Sequence, residues 1–571
     1  MTLREAPHAD HAEAAQPSTA RIILARLREL LPERKDYADM RRDPKRDIVA
    51  GVTVAFVALP LALAFGLSSG MGAAAGLMTA IVAGIVAAVF GGSNLQVSGP
   101  TGAMTVVLIP IFTQFGASGV LVVGMLAGIF LLVLAFARAG RAMQYIPLPV
   151  VEGFTLGIAV IIALQQIPSA LGTTGQGEKV FMVAISSFQT WFANPNWAPV
   201  LITLAVAGTI LLVLRLRPGI PSALPAVIAA TVVATLVGLP VSVIGALPST
   251  VPIPSLPTVP LSMYSALLLP AIAVAALAAL ESLLSATVAD GMSVDEHHNS
   301  NRELFGQGMA NLAAPLFGGV PATAAIARTA VNVRTGARSR LAAITQSVAL
   351  LVVILVASRW VSMIPMAALA GVLLATCVQM VEVSSLRALV RSTRGDAAIL
   401  IATALATIIF DLVTAVIVGM VIAGIYALRQ VAQSANVDRT EITTDDHTLE
   451  ERELLREHVV AFRLDGPLFF GAAHKFLLEI SEISDVRVVI LRLSRVKTLD
   501  ATGATVLGDT IKTLENRGIT VLLSGISDDH DNVFRVLGIY DHLADERHLF
   551  ATTPEAIEHA RRHIDKHDRT A

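Results

Sequence analysis

Residues Phe90–Ile109 read FGGSNLQVSGPTGAMTVVLI, and residues Phe317–Val333 read FGGVPATAAIARTAVNV. Each stretch opens on Phe-Gly-Gly. A few residues later each carries a proline, Pro100 or Pro321, ahead of a short apolar run. Proline suits the first helical position, because its missing N–H would be unbonded there anyway. Both prolines are therefore expected to open helices. At ~1.5 Å per residue, a run of ~12–15 residues reaches only ~18–22 Å, short of a ~30 Å hydrocarbon core. A helix that starts inside the membrane must turn its free N–H groups toward protein, a cavity or a ligand. Its positive dipole end attracts anions. Two such helices at corresponding places in two halves point to a transporter site at the midplane. The plainer alternative is a pair of ordinary Pro/Gly kinks.

The rest of the chain supports a membrane setting. Of 571 residues, 54% are hydrophobic and only 15% charged, with a mean hydropathy of +0.68. Ordinary globular proteins are about 25% charged. The formal net charge of −2 gives no bulk attraction to nucleic acid. The one cysteine, Cys377, excludes a disulfide framework and a Cys-based zinc site. Disordered, collagenous and secreted mini-protein classes are excluded as well.

With ~20 apolar residues per span, the pattern predicts about fourteen membrane segments. They lie near 48–68, 73–92, 100–115, 119–138, 151–168, 198–215, 222–238, 263–289, 304–318, 321–333, 339–357, 364–381, 396–411 and 412–428. With a cytoplasmic N-terminus, the inner joints hold Arg138/Arg141, Arg215/Arg217, Arg302, Arg334/Arg338/Arg340, Arg387/Arg391/Arg394 and Arg429. The outer joints hold little more than Lys179 and Arg359. This asymmetry follows the positive-inside rule and returns the C-terminal part to the cytoplasm. No apolar signal-peptide core opens the chain. Arg21–Leu31 (RIILARLRELL) reads as an amphipathic helix on the membrane face or as a plain surface helix. Gly72, Gly76, Ala80, Gly84, Ala88 and Gly92 form a smooth helix face suited to close packing in lipid.

Charges at membrane depth are costly and tend to be functional. Glu281 interrupts the run LLLPAIAVAALAALESLLSATVA, with Ala278, Ser285 and Ala289 on its helix face. Arg328 lies about two turns into the second short segment, where an arginine can clamp an oxyanion. The alternative for this acid and base is one structural ion pair. Asp411 and Glu152 fall near segment ends. His297 and His298, beside Asp295 and Glu296, read as a solvated loop before a metal site. The membrane part shows no nucleophile–base constellation, so no catalytic residue, metal or cofactor is assigned and the chain is not expected to be an enzyme.

Beyond an acidic linker (Glu441–Glu453) the pattern turns soluble. VVAFRL (Val459–Leu464), RVVILRL (Arg487–Leu493) and Ile519–Leu523 read as strands, Thr502–Asn516 and Pro554–Lys566 as helices. They make one small α/β domain. Asp500-Ala501-Thr502-Gly503 at a helix start is a cap or a phosphorylation or nucleotide-contact site, with Thr502 the regulatory candidate.

The segments DIVAGVTVAFVALPLALAFG, QVSGPTGA, ESLLSATVADGM, NSNRELFGQGMAN and PATAAIARTAVNVR resemble the SulP family of anion transporters, over about Asp47–Gly525. The C-terminal part resembles a STAS domain, with DATG in place. The resemblance implies a polytopic α-helical membrane protein of fourteen segments in a 7+7 inverted repeat. It further implies core and gate domains, an elevator motion, a homodimer and a small cytoplasmic α/β STAS domain. Its domain division is 1–46 as an N-terminal segment, 47–431 as the transporter, 432–457 as a linker and 458–567 as the STAS domain. The anion is expected between the two short helices, near Phe65, Thr101 and Gly102, and near Ala324, Ala325, Ile326, Ala327 and Arg328. Gln96 and Ser98 lie close by. Glu281, with Ser285, is the expected coupling pair.

This sequence departs from some relatives. Ala327 replaces a hydroxyl beside the arginine, and Leu61 replaces a polar residue next to Pro60. Ala325 and Ile326 add no side-chain oxygen for sodium, which favours H+ over Na+ as coupling ion. The expected substrate is sulfate, bicarbonate or a small dicarboxylate. The competing readings are a nucleobase carrier of similar architecture and a membrane-tethered signalling protein acting through the C-terminal domain. Expected partners are the anion, the bilayer, a second copy, and a cytoplasmic protein or nucleotide at the STAS domain.

Overall fold

A computed structural model describes residues 26, 28–141, 146–177, 179–217, 220–293, 297–410, 412–433, 436–440, 458–468, 486–543 and 548–568. The chain forms two compact units, Met1–Met420 and Val421–Ala571.

In the first unit, α1 (Arg34–Ala38) leads into α2 (Pro44–Ser68), α3 (Ala73–Phe90), the two-residue strand β1 (Ser98–Gly99), α4 (Gly102–Phe136) and α5 (Leu148–Leu171). Then come α6 (Val180–Ala193), α7 (Trp197–Leu216), α8 (Ala223–Val237), α9 (Tyr264–Met292), α10 (Ser300–Leu316), β2 (Thr323–Ala324) and α11 (Ile326–Arg334). The series closes with α12 (Leu341–Val361), α13 (Met366–Met380), α14 (Val383–Ser392), α15 (Arg394–Ile409) and α16 (Leu412–Gln433), which runs past the boundary between the units. Among the described residues eight helices are long and apolar enough to cross a membrane. Each of the fourteen expected segments overlaps a helix, although the first five residues of 321–333 are extended. Two of them share α4, which is broken at Gly116, where φ is +69°. Only glycine enters that region readily.

The packing follows the same plan in both halves. Helix α2 packs on α12 as α9 packs on the second part of α4, and α3 meets α12 as α10 meets α4. Likewise α7 meets α13 as α15 meets α5. These pairs are what an inverted 7+7 repeat requires. The small-residue face of α3 lets backbones approach: a Cβ on Gly76 would lie 2.9 Å from Gly66 Cα.

Three sequence expectations change. Neither proline opens a helix. Thr101 caps α4 and Ala325 caps α11, with Pro100 and Pro321 in the extended chain ahead of them. Two short helices, α6 and α14, were not expected, because neither is long or uniformly apolar. Arg302 and Arg340 are not free topological charges, since they are 6% and 1% exposed. Arg340 Nη1 donates to the carbonyls of Ala88 (3.0 Å) and Val89 (3.1 Å), and Arg302 Nε to that of Gly91 (3.4 Å). They neutralise the negative end of α3. Arg302 also pairs with Asp36 at 2.5 Å. Of the stretch Arg21–Leu31, residues 21–25 and 27 lie outside the described residues. Leu30 is buried at 4% exposure and Glu29 pairs with Arg138, so its end rests on protein.

The second unit holds a five-stranded sheet in the order β3 (Asn436–Thr440), β4 (Val459–Leu468), β5 (Val488–Leu499), β6 (Thr520–Ser524) and β7 (Leu549–Phe550). Among the described strands of this sheet only β3 is antiparallel to its neighbour. Val488–Leu491 are fully buried because helices cover both faces of the sheet. On one side Leu507, Ile511 and Leu514 of α17 (Ala501–Asn516) and Phe534 of α18 (Asp528–Val536) pack on it. On the other, Ala556, Ile557, Ala560 and Ile564 of α19 (Thr553–Asp568) do so. The three expected strands and two expected helices are present. Strand β3 lies within residues 432–457, read above as linker, and Glu441–Glu453 lie outside the described residues.

Candidate functional site

The two Phe-Gly-Gly stretches meet. Strands β1 and β2 pair antiparallel, Ser98 with Ala324 and Gly99 with Thr323. Ala325 N–H extends the ribbon by donating to Val97 O at 3.0 Å. From its two ends α4 and α11 start. The sequence makes this join possible because residues 97–101 and 321–325 are small or β-prone, and Gly99 has no side chain. A Cβ on Gly99 would meet Arg328 Nη1 at 2.6 Å.

Hydroxyls and amides buried in the protein hold the ribbon. Ser282 of α9 exchanges a hydrogen bond with Thr323 (3.0 Å) and accepts Ala324 N–H (3.2 Å). Gln96 Nε2 donates to Ser282 O at 2.6 Å, and Gln307 Nε2 to Ser98 Oγ at 2.7 Å. Asn311 of α10 accepts from Ala322 N and donates to Ala322 O, both at 2.8 Å.

Arg328 is 1% exposed. Its Nη2 donates to Pro100 O at 2.9 Å, while Nη1 is buried with no hydrogen-bond partner. The base on the second half-helix is thereby fastened to the residue before the first half-helix. Thr101 caps α4 by accepting Met104 N–H at 3.4 Å, and its hydroxyl donates to Glu281 Oε2 at 2.7 Å. Glu281 is half-buried, so it borders open space. Glu281 and Arg328 thus take separate partners and form no direct ion pair, so the ion-pair alternative drops out. Phe65, 6% exposed, sits beside the start of α4: its Cε1 would lie 3.3 Å from a Cβ on Gly102.

The remaining sequence candidates divide. Ala324 is buried in the ribbon, Ala325 is half-buried, and Ile326 and Ala327 are exposed at the first turn of α11. Ser285 is fully buried, and its hydroxyl donates to Thr329 Oγ1 at 3.0 Å, which in turn accepts Val97 N–H at 3.1 Å. It braces α11 against α9. Thr502, in the other unit, is exposed next to the Asp500 cap, whose Oδ1 accepts Gly503 N–H at 2.7 Å. The first unit's loop histidine His298 bonds Asp290 at 2.7 Å. Among the described residues no His/Cys/Asp/Glu group could hold a metal. Asp295, Glu296 and Asp411 lie outside the described residues. Sequence reasoning placed Thr329 beside Arg328 but missed Ser282, Gln307 and Asn311. Their polar character in apolar runs was the available signal.

Two half-helices that start from one buried ribbon in opposite repeats, with a clamped arginine and a nearby acid, define a polytopic membrane protein of the discontinuous-helix kind. Comparison with known proteins agrees. The Sulfate permease family matches residues 45–403 and the STAS domain matches residues 454–556. The chain is 34% identical over 520 residues to the putative sulfate transporter YvdB of Bacillus subtilis, covering 89% of this chain and 96% of that protein. It is 30% identical over 536 residues to the bicarbonate transporter BicA of Synechocystis sp., covering 91% and 94%. The solved transmembrane domain of a cyanobacterium bicarbonate transporter BicA aligns with a TM-score of 0.60 at 32% identity, covering 66% of this chain and 98% of that one. The structure of SLC26A9 aligns with a TM-score of 0.79 over 100% of this chain and 98% of that one, and at 17% identity shows the shared fold. The chain belongs to the sulfate permease (SulP) family and carries a C-terminal STAS domain. It is a multi-pass membrane protein.

Proposed function

We propose that this protein is a secondary active transporter of a small anion: sulfate, bicarbonate or a small dicarboxylate. The observation that carries this reading is the unpartnered, buried Arg328 Nη1 beside two half-helix starts joined by β1 and β2. A buried donor without a partner costs about 1–3 kcal/mol, and an anion would recover it. The sulfate and bicarbonate transporters among its relatives support the substrate class.

In this reading Glu281 is the proton-coupling group, because Thr101 Oγ1 links it to the cap of the first half-helix. Helices α2–α4 and α9–α12 move as a carrier against α5–α8 and α13–α16, elevator-fashion, in a homodimer. The N-terminus and the STAS domain lie in the cytoplasm. Flux into liposomes, measured for sulfate, bicarbonate, succinate and uracil with and without pH and sodium gradients, tests the proposal. Saturable anion flux driven by a pH gradient is expected. Flux of uracil alone, or sodium dependence without pH dependence, would refute the substrate class or the coupling ion respectively.

A further inference from the structure

Helix α14 (VSSLRALVRS, Val383–Ser392) has no buried residue. It joins α13 to α15, both packed in the bundle. Ser385 Oγ donates to Glu152 Oε1 of α5 at 2.7 Å, and Leu386 and Leu389 are half-buried, which fixes the face turned to the protein. The other apolar residues face away: Val383 is 58% and Val390 50% exposed. Arg387 stands four residues after Val383 on that outer face, Arg391 follows at the next turn, and Arg394 opens α15.

Among the described residues none of these three arginines makes an ion pair. None of the neighbouring acids pairs with them. Asp396 accepts the hydroxyls of Ser392 (3.2 Å) and Thr393 (2.9 Å), Glu152 accepts Ser385, and Glu382, at the N-cap position five residues before Arg387, makes no side-chain cap bond and no ion pair with these arginines. An exposed apolar strip flanked by arginines is the pattern of a helix lying in a membrane interface.

The first half supplies a built-in comparison. Helix α6 follows α5 as α14 follows α13, so the repeat sets them in equivalent places on opposite faces. Helix α6 exposes Phe181, Ile185, Phe188 and Phe192 and contains no charged residue. One of these two helices is aromatic and neutral, the other basic. A chemical difference between the two leaflets accounts for that contrast.

We propose that α14 lies in the inner membrane interface and binds the headgroups of acidic phospholipids through Arg387, Arg391 and Arg394, with Val383 and Val390 entering the acyl layer. The inner placement rests on the orientation given under Proposed function; the lipid contact rests on α14 itself. Near an acidic surface each basic residue strengthens association about fivefold.

The test uses the full-length protein in detergent, with phosphatidylglycerol, phosphatidylcholine or inorganic phosphate added, and follows the thermal midpoint. Phosphatidylglycerol should raise the midpoint above the phosphatidylcholine value, and inorganic phosphate should not. The triple variant R387Q/R391Q/R394Q should lose most of that difference, whereas R215Q/R217Q, at another inner joint, should keep it. Should the triple variant fail to fold, the single change Arg387→Gln should lower the ratio of phosphatidylglycerol to phosphatidylcholine that co-purifies. Retention of the wild-type preference by these variants, or an equal shift from inorganic phosphate, would overturn the lipid contact. Labelling of Ser384→Cys in sealed cells checks the side. Labelling from the outside alone would overturn the orientation, and with it the inner-leaflet placement.

Discussion

Thr101 Oγ1 donates to the Glu281 carboxylate at 2.7 Å and accepts the N–H of Met104 at 3.4 Å. One hydroxyl therefore joins an acid on α9 to the first turn of the α4 half-helix. A change in the proton state of Glu281 reaches the positive end of that helix through a single side chain.

Glu281→Gln keeps an acceptor for Thr101 and imitates the protonated acid. Transport in liposomes should lose its dependence on the proton gradient, while anion binding to purified protein stays within about threefold of wild type. Wild-type gradient dependence in this variant would move the coupling role elsewhere.

Arg328→Ala removes a charge-assisted donor worth about 1.5–3 kcal/mol, or tenfold or more in affinity. Because Arg328 also holds Pro100 O, Arg328→Lys serves as a companion that keeps the charge. Calorimetry on folded protein should show weaker sulfate or bicarbonate binding in both variants, with the alanine the worse. Unchanged affinity in the alanine variant would clear Arg328 of any part in binding.

Gly99→Ala tests the same site without touching a charge. The new methyl would fall 2.6 Å from Arg328 Nη1, so the guanidinium must shift. Anion affinity should drop several-fold, with a smaller loss of thermal stability than Arg328→Ala causes. Equal affinity would mean that the position of Nη1 does not matter.

Asp36 makes stability pH-dependent. Burial raises its carboxyl pKa, but the bond from Arg302, the N–H of Glu33 and the charges of Arg302 and Arg340 outweigh burial and hold it below the ordinary value. A group depressed on folding stabilises fully above its unfolded pKa and loses that contribution as pH falls through its folded pKa. Breaking a buried pair by removing one partner costs ~3–5 kcal/mol. Asp36→Asn should therefore lower the midpoint at neutral pH and flatten its decline between pH 5 and 3, roughly the window around and below the ordinary carboxylate value. A parallel decline in both proteins would show that other groups govern acid sensitivity.

Strand β3 sets the boundary of the soluble domain. It supplies the antiparallel edge of the sheet, with Asn436 opposite Asp465 and Thr440 opposite Ala461. An isolated domain beginning at Ala435 should melt higher and stay monomeric longer than one beginning at His458, which bares the β4 edge. Truncation of the full chain after Gln433 should leave anion affinity unchanged, since every proposed contact lies before Leu341. Collapse of affinity in a folded truncation would give the domain a part in shaping the site.

The sequence makes the architecture legible where one physical signal dominates. Long apolar runs mark α2, α3, α7 and α12, and short β-branched apolar runs between helix patterns mark β4, β5 and β6. The repeated Phe-Gly-Gly lead points to the half-helices, yet not to where they begin. That depends on the pairing of Ser98 with Ala324, a contact between residues more than two hundred positions apart. Arg328 and Glu281 stand out as charges in apolar runs. Their partners, Pro100 O and Thr101, follow from packing alone. Ser285 looks like a coupling group by spacing on the Glu281 face, but its hydroxyl is committed to Thr329. Arg302 and Arg340 are misread as topological charges because composition cannot distinguish a solvated arginine from one that caps a buried helix end.

The pairing of β1 with β2 also has a mechanical meaning. It works as a rivet between the two repeats, driven through the point where their dipoles converge. The half-helix starts cannot part without tearing four backbone residues from each other, and Ser282, Gln307 and Asn311 with them. Under the transport reading proposed above, a cargo held there is not let go by spreading the jaws. It travels with them, jaws and all, from one side of a barrier to the other.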